Sequence, residues 1–460
     1  MEAEPAVLTA LSEICESPEL SAGIRACKKR RGQFSSRQHM ELAGAAMDPD
    51  ARRCLESSLD TAWDNSGTEY LPLYAAEVVI GAGLHAAVYC AARVAAGHPK
   101  PLVLEAGKRP GGAFAVSTAP AFWLNSRNRP GLGGEPGNGE SLNYLPGAPL
   151  QVADFCSGEF PGNADMALAV RLALAMHADV RTGVKVTKLA TWRKTASSAA
   201  PYPYVSFYAT NSPLPVVKDT DVAVTVSGGQ QIRARRVIDT RGLGDAMPAG
   251  KPDGRRILTF AQFMAKMDGE FPLKGMERVA VIGKGDSAKC AVEALTGLSP
   301  QAGMGAATLD WPQRIDWFAP GLPGDCEAWR TQQRGRYQGI GAQLGTRGRV
   351  QVTSQQGVAA KIPGGVMVNG RPYTHAVIAA GYERKDLGLG RSSYVTTGEA
   401  GEGTKLAVRN ALCEYIMAGP VAQLPFTERE TAAGLALAPE NQVAIWRLAP
   451  RTAALAQMLS

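Results

Sequence analysis

Residues 77–97, EVVIGAGLHAAVYCAARVAAG, run on to residues 101–107, PLVLEAG. The stretch opens as a buried strand, turns through glycines, continues as an alanine-rich segment and returns to a second strand pattern. That succession is a βαβ unit, and its small residues suit a helix packed closely on a sheet. Gly81, Gly83 and Ala86 fill the G-x-G-x-x-G/A pattern directly after the first strand. Glycine at 81 permits the tight turn, glycine at 83 lets a pyrophosphate approach the backbone, and a small residue at 86 lets helix and strand pack together. Phosphates would meet the helix N-terminus, where free N–H groups and the dipole favour negative charge. Glu105 closes the second strand, where a carboxylate can accept hydrogen bonds from an adenosine ribose. Strands, loop, helix and acid in one register predict a nucleotide site.

A similar unit starts at Arg278, with VAVIGKGDSAKCAVEALTG (279–297) followed by RIDWFAP (314–320) and closed by THAVIAAGY (374–382). Gly283, Gly285 and Ala288 repeat the pattern, and Ser287 can cap the helix or meet a phosphate. Here the second strand ends without Asp or Glu, so an acceptor for a ribose 2′-hydroxyl is missing. Arg330, Arg334 and Arg336 follow and can meet a 2′-phosphate, which tilts the expectation toward NADPH, with NADH still open.

After Glu105 comes KRPGGAF (108–114). At this point the chain resembles the FAD-binding domain of the two-dinucleotide-domain flavoproteins, a superfamily that includes disulfide oxidoreductases and flavin-dependent monooxygenases. The resemblance implies that Glu105, Lys108, Arg109, Gly111 and Gly112 bind FAD, the Gly-Gly pair passing beside its pyrophosphate. It also matches Val186 in GVKVTKL (183–189) to the strand whose backbone meets the adenine. VIDTRG (237–242) resembles the usual ATG-type strand end, and Gly419 and Pro420 in YIMAGP (415–420) resemble the late FAD motif near the flavin. VIAAGY departs from the common ATG by an alanine in place of threonine. The implied fold class is α/β, with two Rossmann-like domains and an N-terminal helical extension. The boundaries expected are 1–74 for the extension, 75–245 with 390–460 for the FAD domain, and 278–385 for the inserted NAD(P)H domain, with 243–277 as a connection.

Composition narrows the classes. The chain has 460 residues, 45% hydrophobic and 20% charged, enough apolar content to bury a sizeable core and exclude wholesale disorder. Its net charge of +7 is spread along the chain, and the one basic run, Lys28–Arg31, is short, so no nucleic-acid partner is expected. No apolar run is long enough for a membrane span, and the acidic N-terminus does not read as a secretory signal, which suits a cytoplasmic protein. The helical extension can pack on the body or serve a homo-oligomer.

Eight cysteines are scattered without any CxxC pair, so zinc ribbons, iron–sulfur runs and local dithiol centres are not expected, nor is any metal site. The resemblance requires a redox cysteine for disulfide reduction, and Cys156 and Cys290 stand alone. The Baeyer–Villiger signature is also missing. FWLNSRNRPG (122–131) falls where the superfamily's post-Gly-Gly segment approaches the flavin ring. Asn125 there can donate and accept a hydrogen bond to a substrate oxygen, and Arg127 and Arg129 can hold a carboxylate or phosphate, which makes Asn125 and Arg127 the candidate catalytic residues. His85, inside the first loop, is expected to face solvent. The reading is an FAD- and NAD(P)H-dependent oxidoreductase acting on a small molecule, with a single-component monooxygenase favoured. The alternatives are a reductase or dehydrogenase that moves hydride without activating oxygen, and a flavin-bound partner protein without enzymatic activity.

Overall fold

A computed structural model describes residues 49–64, 71–117, 122–124, 143, 145, 148, 150–156, 160–192, 218, 220–242, 245–246, 249–269, 273–296, 312–321, 350–383, 387–389, 394–400, 404–423 and 445–459. Helix α1 (Pro49–Asp64) is followed by β1 (Tyr74–Ile80), α2 (Leu84–Ala95), β2 (Leu102–Leu104), α3 (Asn163–His177), β3 (Asp179–Arg181), β4 (Val186–Thr191), β5 (Val222–Val226), β6 (Gln231–Asp239) and β7 (Asp245–Ala246). Next come β8 (Ile257–Thr259), α4 (Phe260–Met267), β9 (Arg278–Ile282), α5 (Asp286–Thr296), β10 (Arg314–Phe318), β11 (Val350–Thr353), β12 (Ala359–Ile362), β13 (Gly365–Val368), β14 (Arg371–Tyr373), β15 (His375–Ile378) and β16 (Tyr382–Glu383). The chain then returns through β17 (Tyr394–Ala400), β18 (Thr404–Asn410), β19 (Tyr415–Ala418), α6 (Pro420–Gln423) and α7 (Ile445–Met458).

The first sheet runs β17-β18-β19-β6-β1-β2-β3. Strand β1 is parallel to both neighbours, with Ile80 opposite Leu104 on one side and Asp239 on the other. Strand period decides which side each residue serves. Val79, Val103, Ile238 and Ile416 point into a core shared with α2, α3 and α7. Their neighbours Val78, Leu102, Val237 and Tyr415 point into an opposite core closed by β4 and β5. With both faces covered, the strand segments at this level, residues 78–80, 102–104, 237–238 and 415–418, are apolar on both sides. Fully buried Ala86 and Ala87 let α2 lie close on the sheet.

Helix α7 is locked to α2 by charge. Arg93 donates to the carbonyls of Ala456 (3.2 Å) and Leu459 (2.7 Å), which the end of α7 leaves without intrahelical partners. Arg236 donates to the same Leu459 carbonyl at 2.8 Å, and Glu77 sits between the two guanidiniums at 2.7 and 3.0 Å.

The second sheet, β11-β10-β9-β15-β8, is wholly parallel. Strand β8 and helix α4 belong to it, so part of the segment expected as a connection is structural. Thr259 caps α4 by accepting from the Gln262 N–H (3.2 Å), and the Gln262 side chain accepts from the Thr259 N–H (2.9 Å). The two units are joined where β7 pairs antiparallel with β16, where Phe122 packs edge-on against Phe260 and Phe263 of α4, and where the Ser117 hydroxyl donates to Asp268 at 2.9 Å. The segment YVSFYA (204–209), which reads as a strand from its sequence, lies outside the described residues.

Candidate functional site

Both glycine loops sit where a parallel sheet reverses its strand order, between β1 and β6 and between β9 and β15. Such crevices at strand C-terminal ends are the ligand-binding places of open α/β sheets.

In the first loop, Gly81 leaves β1 with φ +89°, a conformation that side chains rarely adopt. A Cβ there would also lie 3.3 Å from the Arg241 Cα at the end of β6. Gly83 is different. Its backbone is extended, it occupies the N-cap of α2 with no side-chain cap, and the nearest atom to an added Cβ would be 3.6 Å away. That is ordinary contact, so the surrounding protein does not demand glycine at 83, whereas a phosphate approaching the helix end would.

Gly112 lies against Gly83 so closely that a Cβ on it would stand 2.9 Å from the Gly83 Cα, and the Gly111 N–H donates to the Ala82 carbonyl at 2.8 Å. Glu105 joins the parts. One carboxylate oxygen accepts from the Ala82 N–H (2.8 Å), the other from the Gly107 N–H (2.7 Å), and a lone pair remains on each for ribose hydroxyls. Its backbone accepts from Val184, two residues before Val186, which opens β4 as a buried residue. Lys108 and Arg109 are exposed on the same loop. The structure therefore brings Gly81, Gly83, Glu105, Gly111 and Gly112 together at the end of β1, with Lys108 and Arg109 exposed on the adjoining turn, Ala86 buried in α2 and Val186 at the start of β4.

Gly419 and Pro420 join them through His85. A Cβ on Gly419 would strike the His85 ring, whose Nδ1 lies 2.9 Å from the Thr452 hydroxyl of α7. His85 is buried rather than solvent-facing, and desolvation lowers its pKa to about 3. The physical reason is α7, a C-terminal helix whose place over the loop no local pattern announces. The end of β6 supplies a further buried group: Asp239 accepts from the Tyr415 hydroxyl (2.6 Å) and from Arg241 (2.8–3.1 Å). Asp239 closes a strand, QIRARRVID, whose several charges gave no local sign that this one would be buried.

In the second loop Gly283 has φ +133°, and a Cβ on it would run into the Ala379 carbonyl oxygen. Its own carbonyl accepts from the Trp317 indole at 2.7 Å. Gly285 has no described atom within 4 Å of an added Cβ. Ser287 and Ala288 begin α5, with Ala288 fully buried beneath the loop. Strand β10 ends in Phe318, followed by the buried Ala319, and neither has a side chain that could accept a ribose hydrogen bond.

Asn125, Arg127, Arg129, Arg330, Arg334 and Arg336 lie outside the described residues. Among the described cysteines, Cys90, Cys156 and Cys413 are buried, and Cys54 and Cys290 half-buried. Burial pushes the Cys413 thiol up to about 11 and raises that of Cys90, which disfavours the reactive thiolate. Among the described residues no acidic, His or Cys cluster fit for a metal occurs, and no helix is long and apolar enough to cross a membrane.

No protein-family model and no curated protein sequence matches the chain. Solved structures do. An ornithine N-hydroxylase from Kutzneria sp. 744, solved with reduced FAD, NADP+ and L-ornithine, is 16% identical with a TM-score of 0.51, over 84% of this chain and 99% of that one. The bacillithiol disulfide reductase Bdr (YpdA) from Staphylococcus aureus is 11% identical with a TM-score of 0.52, over 84% and 98%. Its counterpart from Bacillus cereus is 12% identical with a TM-score of 0.50 over the same shares. The chain thus has the fold that these flavoenzymes share, with two Rossmann-like units. A hydroxylase and reductases share it, so the likeness gives the fold and not the reaction.

Proposed function

We propose that this protein is an FAD-dependent oxidoreductase that takes hydride from NAD(P)H and works as a single-component monooxygenase on a small molecule. One observation carries the two-cofactor reading: each loop keeps a glycine, Gly83 and Gly285, where the described protein around it would accept a side chain. The room is left for something other than protein.

FAD would be held by the first loop, by Glu105 at its ribose and by Gly111-Gly112 beside its pyrophosphate, with Gly419 and Pro420 toward the ring. The second loop would hold the nicotinamide coenzyme, with NADPH favoured over NADH by the missing acid after β10. Bound FAD supplies a ring that accepts hydride and passes electrons to oxygen or an organic acceptor. The chain's own residues bind, orient and shield. The uncapped N-terminus of α2 faces phosphate charge, and Glu105 fixes the loop by accepting two backbone N–H bonds. Neutral His85, in the first turn of α2, meets Thr452 of α7 and ties that helix to the loop. Burial of Cys90, Cys156 and Cys413, with the thiols of Cys90 and Cys413 pushed up, supports a reaction that does not pass through these thiols.

The likeness to bacillithiol disulfide reductases favours one second reading, a reductase that passes hydride onward without oxygen. NADPH oxidation by the FAD-loaded protein, followed with and without dioxygen while hydrogen peroxide is quantified, separates the two. Oxygen-dependent consumption with product or peroxide supports the monooxygenase. Equal rates without oxygen, given an organic acceptor, support the reductase.

A further inference from the structure

Helix α1 precedes the first Rossmann unit, and no part of the two-loop pattern calls for it. It is nevertheless built into that unit. Leu55 and Leu59 are fully buried in the core of α2 and α3, and Trp63 is nearly so. Arg52 ties the start of α1 to α3 through Asp165 at 2.6 Å and donates to the Phe155 carbonyl at 3.2 Å.

The far end of α1 leads to the cofactor crevice. One oxygen of Asp60 takes the Arg171 guanidinium, which also lies over the Trp63 ring at 5.4 Å. The other oxygen stands 3.3 Å from Arg109. The Trp63 carbonyl accepts from Thr182 at 3.4 Å, and the next residue, Gly183, donates to the Gly107 carbonyl at 2.9 Å. Gly107 in turn donates to Glu105. A continuous set of contacts therefore runs from Asp60 and Trp63 to the carboxylate at the ribose position.

Arg109 is 61% exposed, and among the described residues Asp60 is its only ion-pair partner. A freely rotating arginine at the crevice rim would lose much rotamer freedom on meeting a ligand, whereas one held by a carboxylate on a docked helix is already placed. We infer that α1 forms the outer wall of the adenosine end of the FAD site, with Asp60 as a positioning residue that holds Arg109 toward the ADP half of the cofactor. This rests on the FAD reading of the first loop and deepens it, since it predicts a contribution to adenine-nucleotide affinity from a helix outside the dinucleotide fold.

The test is a double-mutant cycle on the full-length apoprotein, with FAD and ADP affinities as readouts rather than turnover. Asp60→Asn should weaken both ligands about tenfold, the scale of one charge-assisted contact, and Arg109→Ala, a change at an exposed side chain, should do the same. Asp60→Glu should restore most of the affinity. In the Arg109→Ala background, Asp60→Asn should weaken both ligands distinctly less than it does alone, because the more direct of its two routes to the ligand is gone. An unchanged affinity in either single variant, or an undiminished loss from Asp60→Asn in that background, overturns the inference while leaving the FAD site standing. A wild-type chain that binds neither FAD nor ADP overturns both.

Discussion

At their first glycines the two loops face the same demand. Gly81 and Gly283 both carry positive φ at the end of a central strand, and both press against the end of the neighbouring strand, β6 or β15. At their second glycines both are open. They part in what surrounds them. The first loop is gripped by Glu105, by the Gly111-Gly112 turn and by His85 under α7. The second has the Trp317 indole on the Gly283 carbonyl, no acid at the strand end and no described atom near the Gly285 position. A resident cofactor needs a site fixed from several sides, whereas a coenzyme that enters and leaves needs an open one. The contrast matches tightly held FAD in the first loop and exchangeable NAD(P)H in the second.

The largest effect should come from the shared steric position. Gly283→Ala combines an unfavourable φ with a collision at the Ala379 carbonyl, so it should destabilise the protein by about 3 kcal/mol or more, read from denaturant unfolding. Gly285→Ala should leave that midpoint unchanged. Equal costs at the two glycines would erase the distinction between steric and ligand-facing positions.

At Gly83 the expected loss is in binding instead. Gly83→Val should reduce FAD affinity at least about a hundredfold by obstructing the pyrophosphate, with the apoprotein melting near the wild-type temperature. The matching Gly285→Val should keep FAD bound yet abolish its reduction by NADPH.

Each Rossmann unit also buries an aspartate against a tyrosine hydroxyl and an arginine: Asp239 with Tyr415 and Arg241, Asp316 with Tyr373 and Arg314. Both tyrosines donate at 2.6 Å to carboxylates that are fully buried. Tyr415→Phe and Tyr373→Phe should each cost about 2 kcal/mol in unfolding free energy. Only Tyr415→Phe should also weaken FAD, because Asp239 holds Arg241 beside Gly81. Loss of FAD affinity in Tyr373→Phe would show that the two clusters are not functionally distinct.

The smallest effect concerns pH. Burial lowers His85 to about 3 and His375 to about 4, from an ordinary value near 6.5. Below about pH 6.5 the unfolded chain binds protons that the folded chain refuses, so the stability these groups contribute is present above that pH and falls as the solution becomes more acid. Between pH 6.5 and 5, His85 alone corresponds to about 2 kcal/mol at most. His85→Gln should flatten the decline of melting temperature over that range. An unchanged slope would mean that His85 is not a buried neutral group.

How much of this was legible follows the range of the contacts. The loops could be read because strand, glycines, helix and Glu105 are neighbours in sequence and each has a local physical role. The strand β8 and helix α4 were missed because a three-residue strand carries little pattern, although Thr259 and Gln262 already spelled a capping box. His85 was misplaced because α7, which buries it, arrives from the other end of the chain. The Asp60–Arg109 pair was invisible for the same reason, since nothing in α1 names the loop it will face.

Reduction of the reconstituted protein without oxygen tests both loops most directly. Apoprotein is loaded with FAD, freed of excess by gel filtration and mixed anaerobically with NADPH while the flavin absorbance is followed. The yellow colour should stay with the protein and then bleach, faster with NADPH than with NADH. A protein that leaves the column colourless, or that holds FAD which neither coenzyme reduces, would contradict the assignment of the two loops.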